Sequence, residues 1–252
     1  MSEAVRPCVL VFAGLDPSGG AGIQADIEAI GAQGAHALSV VTALTVQDNE
    51  RVHEVAAVDS ALLTRQAMLL AARMPIRAVK VGIPGSLANA QAIADIVLAL
   101  RAGDPALPLV LDPVLASGRG DPLARGDALA ALAPLLAVAT VLVPNGPEAA
   151  AIGATACPHM LVTGGHGEGD EVLNRWTSAE GPHDVTHEWR WPRLPGEFHG
   201  SGCTLASSLA ARLALGDTMP QALESAQRYC NQALADSYVI APGQRIPRRI
   251  QY

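Results

Sequence analysis

Two glycines flank a serine directly before an apolar helical pattern, in the segment Gly200-Ser201-Gly202-Cys203-Thr204. Glycine lets the backbone approach a ligand closely, so the amides here can point at one anion, helped by the positive end of the helix dipole. This arrangement predicts an anion hole for a transferring phosphoryl group. A thiol at such a helix start is expected to have a lowered pKa, which makes Cys203 a candidate catalytic residue. The alternative is an ordinary glycine-rich helix entry with a buried cysteine.

Two carboxylates follow neighbouring apolar runs of the sequence. Asp112 comes directly after one predicted strand, and Asn145 and Glu148 come after the next. Carboxylates at adjacent strand ends suit Mg²⁺, which takes few protein ligands and keeps water and phosphate oxygens for the rest. Taken singly, Asn145 is better explained as a helix cap and Asp112 as a turn cap. Together at one edge of a sheet, they favour a metal site.

The densest glycine cluster lies in residues 14–26. Part of it, Gly20-x-Gly22-x-x-Ala25, mimics a dinucleotide-binding fingerprint. However, six residues separate the end of the preceding predicted strand from Gly20, whereas that fingerprint follows a tight turn. A nicotinamide enzyme is therefore a minor alternative.

Three further polar features carry weaker signals. Gln47 follows a predicted strand, and its amide, with one acceptor and two donors, complements the edge of an aminopyrimidine; a solvated loop glutamine is the alternative. His183 and His187 would face the same side of a strand and could bind zinc, but no third ligand is obvious. The basic segment 245–249 is interpreted as a solvated end.

The elements that must position these residues alternate along the chain. Strands are predicted at 8–13, 38–46, 52–58, 78–81, 107–111 and 140–143, and helices at 21–33, 61–73, 86–101, 124–136, 203–215 and 219–238. This alternation indicates an α/β fold with a mostly parallel sheet and helices on both faces. Segments 172–176 and 185–191 predict an antiparallel hairpin at the sheet edge. Because no repeat or linker interrupts the pattern, residues 1–252 are predicted to form a single domain, with ligands beyond the carboxyl ends of the strands.

The amino-acid composition argues against several classes of function. The 252 residues are 50% hydrophobic and only 3% aromatic, which predicts an aliphatic core, and the net charge of −7 argues against a broad nucleic-acid surface. The only lysine, Lys80, precedes a valine, so no Walker A loop is present. The longest apolar run, residues 128–143, is shorter than the roughly 20 residues of a membrane helix, and Pro134 interrupts it. The four cysteines lack CxxC spacing and are expected to be free thiols in a reducing cytoplasm.

In combination, these segments resemble the hydroxymethylpyrimidine/phosphomethylpyrimidine kinases of thiamine biosynthesis, within the ribokinase-like fold. The matching segments run in family order along nearly the whole chain: 13–26, 42–47, 79–82, 111–114, 144–149, 162–166 and 199–204. Cys203 is characteristic, since other ribokinase-like enzymes usually carry aspartate at that position. The resemblance implies a cytoplasmic homodimer with a three-layer sandwich fold. Its ligands would be a small pyrimidine and Mg-ATP, with no nucleic-acid or membrane partner.

The resemblance also implies roles for individual residues. Asp26 and Gln47 would hold the aminopyrimidine, in a pocket lined by three residues: Gly14, Ile83 and Val114. Cys203 would lie beside the attacking hydroxyl, and the anion hole would be formed by Gly200, Ser201 and Gly202. The metal and the ATP phosphates would lie near Asp112 and Glu148. The nucleotide would be bordered by Asn145, Thr163 and Gly165.

Three positions depart from the family pattern. Thr163 stands where many relatives have a lysine that meets the ATP phosphates, so Arg119 is the candidate that supplies the missing charge. Ile83 replaces a common methionine. The segment 148–163 is short, although a parallel crossover needs about a dozen residues. A pyridoxal or pyridoxine kinase, and a non-catalytic ligand-binding protein on the same fold, therefore remain alternatives to the pyrimidine kinase.

Overall fold

The computed structural model describes residues 5–115, 128–179 and 185–250. Its strands are β1 (Cys8–Leu15), β2 (His36–Gln47), β3 (Val52–Ala57), β4 (Ile76–Val81), β5 (Leu109–Leu111), β6 (Val141–Leu142), β7 (His159–Val162), β8 (Glu171–Ser178) and β9 (Val185–Pro192). Its helices are α1 (Gly22–Ala32), α2 (Ser60–Ala71), α3 (Leu87–Arg101), α4 (Ala128–Leu136), α5 (Gly146–Ile152), α6 (Ser201–Ala214) and α7 (Met219–Ala235).

The strands of the described residues form one sheet in the order β3-β2-β1-β4-β5-β6-β7-β8-β9. Strands β2, β1, β4, β5, β6 and β7 pair in parallel, while β3 at one edge and β8 and β9 at the other are antiparallel. The predicted mostly parallel sheet and the hairpin at its edge are therefore confirmed. The antiparallel pairing of β3 with β2 was not predicted.

Alternating residues of each central strand supply two separate cores, because successive side chains point to opposite faces of a sheet. Leu10 and Phe12 of β1 pack towards α2, α3 and α4, whereas Val9 and Val11 pack towards α1, α6 and α7. All four residues are fully buried. The result is the three-layer arrangement predicted from the strand–helix alternation.

The crossover from β6 to β7 is as short as the sequence indicated, and it is made by the seven-residue helix α5. A capping box stabilises the start of this helix: the Asn145 side chain accepts the Glu148 amide, and the Glu148 side chain accepts the Asn145 amide, both at 2.9 Å. Such a short helix has too few residues for an apolar stripe to be recognised, which is why the sequence pattern did not reveal it.

The segment that follows α7 differs from its predicted solvated state. Gln244, Ile246, Pro247 and Arg249 are buried. The amide of Arg245 donates to Glu197 O at 2.8 Å, and the amide of His199 donates to Arg245 O at 2.9 Å, so the segment pairs with the loop before α6. Its basic residues could not show this pairing in sequence, because the partner lies more than 40 residues earlier.

All four cysteines are free thiols, as predicted. None of the described helices is long and apolar enough to cross a membrane.

Candidate active site

The chain reverses its winding direction between β1 and β4, which lie side by side although β2 and β3 intervene in sequence. In open α/β sheets, ligands bind at such a switch point, beyond the carboxyl ends of the strands. Gly14 at the end of β1, Gly82 after β4 and Asp112 after β5 meet there. The start of α6 lies at the same edge, since Asp112 faces Gly202 across it: a Cβ atom on Gly202 would lie 3.6 Å from both carboxylate oxygens.

The start of α6 has the geometry of an anion hole. The first backbone bond of the helix runs from the Thr204 amide to Gly200 O at 2.9 Å, so the amides of Ser201, Gly202 and Cys203 have no acceptor within the helix. Gly200 has φ +79°, and a Cβ atom there would collide with the carbonyl oxygen of Gly20. Only glycine allows this turn to pack so closely against the β1–α1 loop. Ser201, Gly202 and Cys203 are at least partly exposed, and their free amides can therefore reach a ligand.

The ionisation predicted for Cys203 is wrong. Burial raises its pKa, and the carboxylates of Asp26 and Asp112 raise it further, whereas Lys80 and the Gly22 amide act in the opposite direction. The net result is a pKa of about 12, so the group is a neutral thiol at pH 7. The helix start alone predicts a thiolate. Burial, reinforced by the carboxylates of α1 and of the end of β5, reverses that prediction.

Lys80 of β4 is fully buried beneath the start of α6 and forms an ion pair with Asp26 of α1. Its Nζ donates to the two carboxylate oxygens of Asp26 at 2.8 and 3.0 Å, and Ser207 Oγ donates to Asp26 at 2.6 Å. Burial alone would lower the pKa of Lys80, but the negative groups around it, Asp26 foremost, together outweigh burial and raise the pKa, so the ammonium stays charged. Asp26 is itself fully buried, and the structure assigns it to this network rather than to the predicted contact with the pyrimidine.

Within the described part of the chain, the carboxylate of Asp112 has surroundings that fit a metal ion. Its Oδ2 atom is buried and has no hydrogen-bond partner within the described part of the chain. Burial raises its pKa to about 7, although the charge of Lys80 and a hydrogen bond from Cys203 act to lower it. A buried carboxylate with an unpartnered oxygen is destabilised unless a cation or a proton compensates it. Mg²⁺ beside Asp112 would supply that compensation.

Glu148 has a different environment from Asp112. Its Oε2 accepts the Asn145 amide at 2.9 Å in the α5 capping box, and its Oε1 accepts the Leu115 amide at 3.4 Å. Burial raises its pKa, and these two backbone hydrogen bonds oppose the rise. Asn145 and Glu148 thus form the helix cap that was the alternative interpretation of this segment. The charge of Glu148 nevertheless acts on Asp112, whose pKa it helps to raise.

The structure shows direct contacts between only some of the residues that the resemblance places in the pyrimidine pocket. Gly14 and Ile83 adjoin, since a Cβ atom on Gly14 would lie 2.6 Å from Ile83 Cδ1. Gln47 ends β2, is partly exposed, and its side chain makes no hydrogen bond within the described residues. Val114, two residues after Asp112, is also partly exposed. The side chains of Gln47, Ile83 and Val114 are partly exposed and are therefore available to a ligand, whereas Gly14 is buried.

The β1–α1 loop is organised by Asp16, which sequence reasoning did not single out. Its carboxylate accepts hydrogen bonds from the amides of Ser18 and Ala21, at 2.8 and 2.7 Å, and pairs with Nε2 of His199 at 2.8 Å. Burial favours a raised pKa for Asp16, but the hydrogen bond and charge of His199 and the Ser18 contacts hold it below the usual value. His199 directly precedes the Gly200 turn. Asp16 therefore ties the glycine loop to the anion hole.

The predicted nucleotide border lies at the ends of β6 and β7. Thr163 and Asn145 form an isolated parallel bridge. Arg193, also missed in sequence, donates to the carbonyl oxygens of Gly165 at 2.8 Å and of Gly169 at 2.7 Å, and so holds the loop after Thr163. A cavity of about 340 Å³ opens beside Arg193 and is lined by Gly169, Asp170, Leu194, Pro195 and Gly196. No pattern of spacing marks Arg193, because its partners lie more than 20 residues away.

Two of the predicted site residues, Arg119 and His183, lie outside the described residues. His187 contacts the ring of Trp189, with the ring centroids 4.3 Å apart. Among the residues of 5–115, 128–179 and 185–250, no cluster of three or more potential metal-binding side chains is present.

The sequence profile of the phosphomethylpyrimidine kinase family matches residues 16–156 and 150–247 of the chain. Hydroxymethylpyrimidine/phosphomethylpyrimidine kinases of Mycobacterium tuberculosis and Streptomyces coelicolor are 34% and 35% identical to it; each alignment covers 94% of this chain, and 91% and 92% of the respective relatives. The chain also matches the thiamine biosynthesis multifunctional protein of Corynebacterium efficiens at 34% identity, with 96% of the chain aligned, but it spans only 35% of that protein.

Solved structures show the same fold. Pyridoxal kinase from Staphylococcus aureus, in complex with AMP-PCP, superimposes with a TM-score of 0.84 at 21% identity, covering 98% of this chain and 94% of that one. Phosphomethylpyrimidine kinase from Clostridium difficile superimposes with a TM-score of 0.73 at 27% identity, covering 90% and 99%. The ribokinase-like fold predicted from the resemblance is confirmed.

Proposed function

The chain belongs to the phosphomethylpyrimidine kinase family, and on that premise we propose that it transfers the γ-phosphoryl group of ATP to 4-amino-5-hydroxymethyl-2-methylpyrimidine and then to the resulting monophosphate. The observation that carries the proposal is the row of unpaired amides at Ser201, Gly202 and Cys203, facing the buried carboxylate of Asp112. Free amides at a helix start stabilise negative charge that develops on a transferring phosphoryl group.

In this proposal, the pyrimidine lies between the ends of β1, β2 and β4. Gln47 pairs with the amino and ring nitrogen edge, and the ring lies against Gly14 and Ile83, with Val114 on the remaining side. A side chain at Gly14 would collide with Ile83, so glycine allows these two strand ends to come together on one side of the proposed pocket. The hydroxymethyl group then points at the start of α6.

Cys203 adjoins the reacting hydroxyl as a neutral thiol. Phosphoryl transfer passes through a loose transition state in which positioning and charge stabilisation do most of the work. The hydroxyl oxygen attacks the γ-phosphorus as the bond to ADP breaks, and the hydroxyl proton passes to an oxygen of the transferred phosphoryl group. The amides of the anion hole hold the equatorial oxygens. Cys203 orients the hydroxyl in this scheme and does not need to be a thiolate.

Asp112 is proposed to hold Mg²⁺. Glu148, at the start of α5, is proposed to lie close to this metal. The metal, when bound, would neutralise phosphate charge during the transfer. Thr163, Gly165 and Asn145 are proposed to border the nucleotide, in front of the cavity beside Arg193. Arg119 remains the proposed replacement for the lysine that many relatives carry at position 163. We further propose a cytoplasmic homodimer, as the resemblance implies.

One assay tests the proposal against its alternatives. ADP release from Mg-ATP is measured with the hydroxymethylpyrimidine, with its monophosphate and with pyridoxal, each as the sole acceptor. We expect turnover with both pyrimidines and a much lower kcat/KM for pyridoxal. A preference for pyridoxal would identify the pyridoxal kinase alternative, which the fold likeness to the S. aureus enzyme keeps open. Binding without turnover of any acceptor would identify the non-catalytic alternative.

A further inference from the structure

Arg249, in the segment after α7, has a fully buried guanidinium directly behind the start of α6. Its Nη2 donates to the carbonyl oxygen of Gly20 and, at 3.3 Å, to that of His199. Its Nε donates to Thr204 Oγ1 at 2.8 Å. One side chain therefore joins the β1–α1 loop, the turn before α6 and the first turn of α6.

The guanidinium also acts on Gly200. The hydroxyl of Thr204 donates to Gly200 O at 2.8 Å while its oxygen accepts from Arg249 Nε. Nη2 packs against the α-carbon of Gly200 so closely that a Cβ atom there would lie only 2.9 Å away. The Gly200 turn is thus held by Thr204 on one side and by Arg249 on the other. Because the free amides of the anion hole begin at this turn, their directions depend on it.

The charge of Arg249 is only partly balanced. Its one ion pair within the described part of the chain is with Glu28, at 3.3 Å, and the side chain of Glu28 is 38% exposed to solvent. Burying a cation is costly unless hydrogen bonds and negative charge compensate it. Apart from the contact with Glu28, its hydrogen bonds go to three uncharged oxygens, those of Gly20, His199 and Thr204. A buried positive charge therefore stands behind the amides that face the phosphoryl group.

We propose that Arg249 is a positioning residue for phosphoryl transfer, which locks the Gly20 loop to the Gly200 turn and so fixes the amides of the anion hole. The proposal rests on the kinase function proposed above. An arginine suits this task because its planar fork makes several directed hydrogen bonds at once. A lysine would keep the charge but lose the simultaneous contacts. Substrate contacts are made elsewhere, by residues at the ends of the strands.

The test compares Arg249→Lys and Arg249→Ala with Arg248→Lys and Arg248→Ala. Arg248 is the neighbouring arginine, is exposed, and lies over the ring of Tyr238, so it is a matched control outside the site. Misplacement of reacting groups by about 1 Å can cost about 10²-fold in rate. We therefore expect Arg249→Lys to lower kcat by about 10- to 100-fold, with KM for ATP and for the pyrimidine changed by less than about threefold.

Two further measurements separate positioning from loss of fold. Hydrogen exchange of the amides of residues 200–204 should quicken in both Arg249 variants, at a temperature where thermal melts show that each is folded. Ethylguanidinium should restore part of the kcat of Arg249→Ala, whereas ethylammonium should not. Normal kcat and normal exchange in Arg249→Lys, or a kcat loss that matches the unfolded fraction, would overturn the proposal.

The outcomes also distinguish this proposal from the proposed function. If the unmodified protein phosphorylates neither pyrimidine nor pyridoxal, the proposed function fails. The exchange rates of residues 200–204 then still decide whether Arg249 orders the turn, and unchanged rates in Arg249→Lys would reject that role.

Discussion

The Lys80 ammonium donates to both oxygens of the Asp26 carboxylate, at 2.8 and 3.0 Å, and neither residue is exposed to solvent. The pair lies between β4 and α1, and Ser207 of α6 completes it. Breaking a buried pair leaves an uncompensated charge, whereas removing both charges together costs much less. This relationship leads to the first prediction.

Lys80→Met should lower the free energy of unfolding by about 3–5 kcal/mol, because Asp26 would keep a buried charge without its cation. The double variant Lys80→Met/Asp26→Leu should recover part of that loss. Urea denaturation measures both. The control is Arg175→Met, which breaks an exposed ion pair with Glu188 and should cost less than about 1 kcal/mol. A double variant less stable than Lys80→Met would contradict a compensated pair.

The raised pKa of Cys203 predicts slow alkylation of the enzyme free of Mg²⁺ and nucleotide. Only the thiolate reacts, and with a pKa of about 12 its fraction grows about tenfold for each pH unit between pH 7 and 9. The inactivation rate with iodoacetamide should therefore rise over this whole range. Cys203→Ala serves as the unreactive control. An inactivation rate that stops rising below pH 8 would instead support a thiolate of lowered pKa, as predicted from the helix start.

Replacement of Cys203 also tests its role in catalysis. A general base typically contributes about 10²–10⁴-fold, and the sequence alone predicts a loss of that size. As a neutral thiol that only orients the hydroxyl, Cys203 should contribute less, so Cys203→Ala should lower kcat by less than about 10²-fold. Steady-state kinetics on the hydroxymethylpyrimidine gives the answer, and a larger loss in a folded variant would support a base.

Gly200→Ala should destabilise the protein and abolish its activity. An alanine must adopt φ +79°, which costs about 1–2 kcal/mol, and its Cβ would also strike the Gly20 carbonyl. Gly34→Ala is the matched control, because Gly34 has φ +90° with open space around it and should show the backbone cost alone. Urea denaturation compares the two. Equal losses of stability in Gly200→Ala and Gly34→Ala would show that the contact with Gly20 does not contribute to the loss.

The lowered pKa of Asp16 gives a pH-dependent contribution to stability. A carboxyl whose folded pKa is below its unfolded value stabilises the fold above the unfolded pKa, and the contribution disappears as pH falls towards the folded pKa. The stability difference between the unmodified protein and Asp16→Asn should therefore be present at pH 5 and shrink as the pH falls from 5 to 3. Urea titrations across that range measure it. A difference that is unchanged at pH 3 would contradict the assignment.

Gln47→Leu should weaken pyrimidine binding, because the polar edge of the substrate would lose its partner at a cost of about 1–3 kcal/mol. KM for the pyrimidine should rise, while KM for ATP should stay almost unchanged. Gln91→Leu, which changes an exposed glutamine on α3, is the control. Equal effects on both KM values would place Gln47 outside the pocket.

Patterns among residues that are close together in the sequence were enough to predict most of the fold. The apolar strand runs and the helical spacing mark the parallel sheet, and the consecutive residues 200–204 mark the anion hole, because both depend on neighbours in sequence. Helix α5 and strands β6 and β7 are too short for such patterns to define their ends. The cap formed by Asn145 and Glu148 was recognisable as one of two interpretations, because its residues are three positions apart.

Tertiary structure alone decided the electrostatics of the site. Lys80, Asp26 and Ser207 come from β4, α1 and α6, and Arg249 reaches Gly20 across more than 200 residues, so no spacing in the sequence could join them. The pKa of Cys203 depends on burial and on charges that folding brings close, and these outweigh the local effect of the helix start. The sequence by itself thus determined the elements and the glycine turn before α6, while the ionisation of the groups around that turn and the contacts that hold it arose only when distant segments packed together.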